Sequence, residues 1–277
     1  MFYTQLAGPS CFMVRDSLDI HQMTLTNDWV VSREGQAHAG LTLFCFPYAG
    51  GGASAYRRWK ENLPAGIEIA RIQLPGRENR IRERPLASMD KLAPAVAAGI
   101  LQSADRPFIF YGHSLGARIA FETVRVLRRQ GGVQPRHLFV GASDAPQSPW
   151  PYPLLHQLPE NEFIDAMQRR YGGVPQPVID DPELRALLIP TLRADVELME
   201  TYRYSFEPPL DCSITAFAGT QDRMVSRAMM DGWRDQTNQR FQLHLITGDH
   251  FFLNSANKTL LDLIHAESQK ELPDQRD

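Results

Sequence analysis

The sequence predicts an α/β fold, a mostly parallel β-sheet with helices on both faces. Short apolar runs alternate with helical periods from residue 41 onward, and most of the runs stop at proline or glycine. One long stretch, between Ser143 and Asp211, interrupts that alternation and reads as a helical insertion. Taken in order, Leu41–Phe46 is a compact apolar run ended by Pro47 and a glycine cluster, the pattern of a buried strand entering a loop. Ile67–Ile72 is a second strand, stopped by Pro75-Gly76, and residues 89–103 follow as a helix with Ser88 at its N-cap. Phe108–Tyr111 is a short apolar and aromatic strand that Gly112 ends. Residues 115–129 keep a helical period through Ile119, Val124 and Leu127, with Arg128-Arg129 favouring the helix C-terminus. Strands at His137–Gly141, Ser213–Ala218 and Phe241–Ile246 complete the sheet. The insertion opens with five prolines from Pro146 to Pro159 and continues with helical patterns at 160–171 and 182–204. A helical segment above the C-terminal edge of such a sheet is where an α/β enzyme carries a lid. The expected organisation is an N-terminal extension over 1–40, partly disordered with a short edge strand, and one domain over 41–277 with its lid at about 145–210.

Composition narrows the class. The chain has 277 residues, of which 43% are hydrophobic and 22% charged, so it can bury a substantial core. A formal net charge of −3 gives no basis for a nucleic-acid partner. Cys11, Cys45 and Cys212 are too few and too scattered for a disulfide framework or a zinc site, which fits a reducing compartment. No secretory signal opens the chain, and no run approaches the roughly 18 apolar residues that span a bilayer. A cytoplasmic monomer without membrane partner, metal or cofactor is expected.

The chemistry centres on Gly112-His-Ser-Leu-Gly116, a G-x-S-x-G match lying between a predicted strand and a predicted helix. That context is what a nucleophile elbow requires. The turn strains the serine backbone, the flanking glycines remove side chains that would collide, and the hydroxyl of Ser114 projects from it. With such an elbow the predicted fold becomes an α/β-hydrolase fold with Ser114 as nucleophile.

A serine hydroxyl needs a general base at neutral pH. Among eight histidines, His250 alone follows the last strand on a loop, in Gly248-Asp-His-Phe-Phe252, which suits the chain order Ser…Asp/Glu…His. The acid that orients it is Asp222, just after a strand and 28 residues before His250. Asp144, after the preceding strand, is the rival. Acyl transfer further requires donors for the oxyanion. The Leu115 N–H is one. The loop Phe46-Pro-Tyr-Ala-Gly-Gly-Gly52 supplies the other through the Ala49 N–H, with Tyr48 as the alternative. Read instead as a phosphate loop, those glycines lack the Lys-Ser/Thr pair that should follow.

Five stretches then stand together: Phe46-Pro-Tyr-Ala-Gly-Gly51, Gln73-Leu-Pro-Gly-Arg-Glu78, Gly112-His-Ser-Leu-Gly116, Leu192-Arg-Ala-Asp195 and Gly248-Asp-His-Phe-Phe-Leu253. In this order, over about 41–265, they resemble the type II thioesterases of nonribosomal peptide and polyketide synthases, relatives of the acyl-carrier-protein hydrolases of fatty-acid synthesis. The resemblance implies hydrolysis of acyl thioesters on the phosphopantetheine arm of an acyl or peptidyl carrier protein. It implies a triad at Ser114, Asp222 and His250, and a lid that includes Leu192 to Tyr204. The residues alone also suit a carboxylesterase or lipase acting on oxygen esters, or an inactive binding scaffold.

Two weaker features complete the reading. Arg71, Arg77, Arg80, Arg82 and Arg84 either dock an acidic carrier protein or form a solvated loop with Glu68, Glu78 and Glu83 as partners. The pairs Met229-Met230 and Phe251-Phe252 are expected to be packing residues rather than acyl contacts.

Overall fold

The computed structural model describes residues 27–34, 39–172 and 174–270. The expected disorder of the N-terminal extension, together with Cys11, His21 and His38, lies outside them. Among the described residues, seven strands form one sheet in the order β1-β3-β2-β4-β5-β6-β7. They are β1 (Val30–Glu34), β2 (Leu41–Phe46), β3 (Ile67–Ile72), β4 (Phe108–His113), β5 (His137–Gly141), β6 (Ser213–Gly219) and β7 (Phe241–Ile246). Strands β2 to β7 are mutually parallel, and β1 closes one edge antiparallel to β3. This is the α/β-hydrolase architecture that the alternating pattern predicts.

The helices are α1 (Met89–Ser103), α2 (Leu115–Arg129), α3 (Glu160–Tyr171), α4 (Gln176–Asp180), α5 (Pro182–Thr201), α6 (Arg227–Asp231), α7 (Phe252–Ser255) and α8 (Asn257–Gln269). Side chains alternate across the central strands as the two-residue period demands. Phe44, Phe46, Phe108 and Phe110 face one core with Val96 and Ile100 of α1 and Val124 of α2. Leu43, Cys45, Ile109 and Tyr111 face the other, with Trp59 and with Leu260 and Ile264 of α8. Phe44 meets Phe108 edge-on at 5.6 Å, and Phe46 lies 4.9 Å from Phe110, contacts that add to area burial.

Several local features differ from expectation. Ser88 stands at the N-cap of α1 but makes no side-chain capping bond. The insertion carries three helices, and α5 ends at Thr201 rather than 204. Asp181 caps α5 by accepting from the N–H groups of Glu183 and Leu184. The arginine cluster is mostly built into the fold. Arg71 pairs with Glu34, Arg77 with Asp195, and Arg80 with Glu83 while its guanidinium lies 4.3 Å over the Trp29 ring. Glu68 and Glu78 turn elsewhere, to Arg33 and to Ser54. Only Arg82 and Arg84 of the five are exposed, so neither a basic docking strip nor a freely solvated loop describes it.

All the parallel strands end at one edge. The loops that follow β2, β4, β5, β6 and β7 carry Ala49, Ser114, Asp144, Asp222 and His250 respectively. The tightest crossing there is between α2 and the exit of β2. A Cβ on Gly116 would overlap the Phe46 carbonyl oxygen and lie 2.7 Å from that of Pro47. Both obstacles are backbone, so Gly116→Ala is expected to destabilise the fold by about 1–3 kcal/mol. An unchanged urea midpoint would contradict this close approach.

Candidate active site

Ser114 joins β4 to α2 with φ 53° and ψ −119°, a positive φ that a non-glycine residue adopts only at a cost of about 1–3 kcal/mol. The turn is held by the Ser114 N–H donating to the Gly141 carbonyl at 2.8 Å, and by the Ala117 N–H donating to the Ser114 carbonyl at 3.0 Å. Strain of this kind, held in place by neighbouring strands, lifts the hydroxyl off the sheet edge.

The ring of His250 is buried between that hydroxyl and a carboxylate. His250 Nδ1 lies 2.9 Å from Asp222 Oδ2, and His250 Nε2 lies 3.2 Å from Ser114 Oγ. A carboxylate only accepts, so Nδ1–H donates to Asp222 and the Nε2 lone pair faces the serine O–H. That is the tautomer a general base needs. Asp222 Oδ1 accepts from the N–H groups of Met224 and Val225 at 2.8 and 3.1 Å. Burial pushes the Asp222 carboxyl up, but the His250 bond and these two N–H groups outweigh it and hold the pKa below its ordinary value. The group stays a carboxylate.

The rival acid is engaged elsewhere. Asp144 Oδ1 accepts from Arg118 Nη2 at 2.6 Å. Other described histidines also have partners away from Ser114. His137 Nε2 meets Thr215 Oγ1, His156 meets Glu200, and His244 stacks on Phe217. His113, which stands inside the elbow, reaches further. Its Nε2–H donates to the His250 carbonyl at 2.7 Å, and its Nδ1 accepts from the Tyr111 hydroxyl at 2.9 Å. The residue before the serine thus anchors the backbone of the imidazole, a contact across 137 positions that no local pattern signals.

The loop after β2 is pinned along its length. The Gly50 N–H donates to Asp195, the Gly51 N–H to the Tyr48 carbonyl, the Ala53 N–H to Gln73 and the Ser54 N–H to Glu78. Two carboxylates therefore face it, which opposes any phosphate-loop role. The Ala49 N–H has no acceptor among the described residues, and the Leu115 N–H is the first of α2, without a preceding turn to bond it. Ala49 lines one lobe of the cavity at Ser114 and Leu115 lines the other.

These two lobes meet at Ser114 and His250 with Tyr171 and Met199 on both. Trp150, Tyr152, Met224 and Met229 wall the first; Met167, Val174, Leu192 and Phe251 wall the second. The expectation for Met229-Met230 and Phe251-Phe252 is therefore half corrected. Met230 and Phe252 are fully buried, whereas Met229 and Phe251 face the cavity.

Burial, reinforced by the neighbouring His250, pushes the His113 pKa down to about 3 from 6.5. A histidine depressed in the fold contributes stability in full above its unfolded value, and that contribution drains as pH falls from about 6.5 toward 3. Replacing it by His113→Gln is expected to reduce the pH slope of unfolding free energy between pH 4 and 6 by up to about 1.4 kcal/mol per unit. Urea denaturation across that range checks this; an unchanged slope would contradict it.

Comparison with known proteins identifies the family. The Thioesterase domain model matches residues 41–267. A Brevibacillus parabrevis protein named linear gramicidin dehydrogenase LgrE is 40% identical over 247 residues, 88% of this chain and 94% of that one. The structure of RedJ, a thioesterase from the prodiginine pathway of Streptomyces coelicolor, is 38% identical with a TM-score of 0.76, covering 85% of this chain and 92% of RedJ. YbtT, a type II thioesterase of the yersiniabactin nonribosomal peptide/polyketide pathway, is 29% identical with a TM-score of 0.78, covering 87% and 97%. This chain belongs to the thioesterase domain family and is a serine hydrolase of that family.

Proposed function

We propose that the protein is a stand-alone thioesterase that frees acyl groups from the phosphopantetheine arm of an acyl or peptidyl carrier protein. It would edit or release chains in nonribosomal peptide, polyketide or fatty-acid synthesis. The observation that carries the reading is the hydrogen-bonded sequence Ser114–His250–Asp222, at 3.2 and 2.9 Å, opening on a mostly apolar two-lobed cavity that the Arg118–Asp144 pair borders on one side. An open groove bordered by Arg169, Arg223 and Phe251 leads to the same histidine and suits the entry of a slender arm.

The reaction takes two steps. Ser114 Oγ attacks the thioester carbonyl as His250 Nε2 takes its proton, and the Ala49 and Leu115 N–H groups hold the oxyanion. The tetrahedral adduct expels the pantetheine sulfur, which leaves as thiol with the proton from His250. Water then gives a proton to His250 and attacks the acyl-serine. Serine departs, regains the proton, and the carboxylic acid is released. Asp222 orients the imidazole and stabilises its charged form in both steps. The insertion over about 145–210, with Leu192 and Met199 on the cavity wall, acts as the lid over the acyl chain.

Ser114→Ala is expected to abolish hydrolysis without loss of folding; full activity in that variant would refute the nucleophile. Asp222→Asn should lower kcat about 10⁴-fold through the wrong tautomer, while Asp144→Asn stays close to wild type. The reverse ranking would move the acid to Asp144. Rates on acyl-pantetheine thioesters and matched oxygen esters, with mass spectrometry of acyl-carrier proteins after incubation, test the substrate class. A preference for the oxygen esters would favour a carboxylesterase.

A further inference from the structure

Asp195 sits within the lid helix α5, yet its carboxylate is spent on the loop that follows β2. Asp195 Oδ2 accepts from the Gly50 N–H at 2.7 Å and from Arg77 Nη1 at 2.7 Å, and Oδ1 accepts from Arg77 Nη2 at 2.8 Å. Arg77 Nη1 also donates to the Gly51 carbonyl at 3.0 Å, so the pair grips that loop by both a donor and an acceptor. Side-chain exposure is 5% for Arg77 and 3% for Asp195. Dehydrating two charges this completely makes a poor stabiliser compared with apolar packing. What the ion pair supplies instead is direction, since a bidentate guanidinium–carboxylate fork fixes both groups in one plane. Helix α5 presses on the same turn through Leu192, whose Cδ1 lies 3.0 Å from where a Cβ on Gly50 would stand, at a residue with φ +75°.

We infer that Asp195 is a positioning residue for the oxyanion site. By holding the Gly50 N–H, and with Arg77 the Gly51 carbonyl, it fixes the peptide next to Ala49 and so the direction of the Ala49 N–H. Asp195 never touches substrate. Arg77 has a second duty, because an uncompensated carboxylate beside the site would oppose the charge that develops on the carbonyl oxygen. The helix that walls the acyl lobe through Leu192 and Met199 is thereby the one that sets the oxyanion donor. The inference rests on the reading of Ser114 as nucleophile and Ala49 as donor.

The test uses the full chain with Asp195→Asn, which keeps one acceptor and the shape, and Asp195→Leu, which removes both acceptors and the charge. kcat and KM are measured on an acyl-pantetheine thioester, beside the inhibition constant of an acyl trifluoromethyl ketone that forms a tetrahedral adduct on serine. Loss of a positioned oxyanion donor is expected to lower kcat about 10²-fold or more in Asp195→Leu and on the order of tenfold in Asp195→Asn. KM should stay within about twofold, and ketone affinity should fall in proportion to kcat, because both depend on the oxyanion. A lost kcat with unchanged ketone affinity, a change confined to KM, or wild-type kinetics in both variants would overturn the inference. If Asp195→Leu does not fold, the isosteric Asp195→Asn decides by the same proportionality. Failure of the wild-type chain to cleave the thioester would instead sink the underlying thioesterase reading.

Discussion

The imidazole of His250 can serve a serine only while its two nitrogens are held to different duties, and most of the sheet edge is organised around that constraint. A buried carboxylate fixes one nitrogen as donor, which leaves the other as acceptor toward Ser114. Asp222 stays charged despite burial because the His250 ring and, after it, two backbone N–H groups stabilise its negative charge. The ring's own backbone is held from beneath by His113, itself kept neutral by burial. Ser114 and His113 come from the end of β4, Asp222 from the end of β6 and His250 from the end of β7, so the sheet supplies a rigid frame that loops alone would not.

The same edge is also covered from above. Helix α5 contributes cavity wall through Leu192 and Met199 and an ion pair through Asp195. Cavity shape and the loop after β2 are therefore mechanically joined in one element.

Much of this was legible in the sequence, for identifiable reasons. The central strands are apolar runs closed by proline or glycine, so Leu41–Phe46, Ile67–Ile72 and His137–Gly141 fall where the pattern puts them. Ser114 announces itself by the strand, the two glycines and the helix around it. The direction of β1 was not readable, since a half-exposed edge strand is set by pairing and by the Arg33–Glu68 bond rather than by its own period. Asp222 and Asp144 look alike along the chain; what separates them is Arg118, which takes Asp144. Arg77 read as part of a basic strip because Asp195 is 118 positions away, and Asp195 read only as a motif residue because the Gly50 N–H is 145 positions away. Contacts of that range depend on the assembled fold, and no local periodicity reports them.

The most direct measurement is rapid quenching of the protein with an acyl thioester during the first turnover, followed by peptide mapping by mass spectrometry. If Ser114 is the attacking group, the acyl mass appears as an alkali-labile ester on the peptide containing Ser114 and decays at the turnover rate. An ester on any other residue, or turnover without a covalent adduct when deacylation is made the slow step, would contradict it.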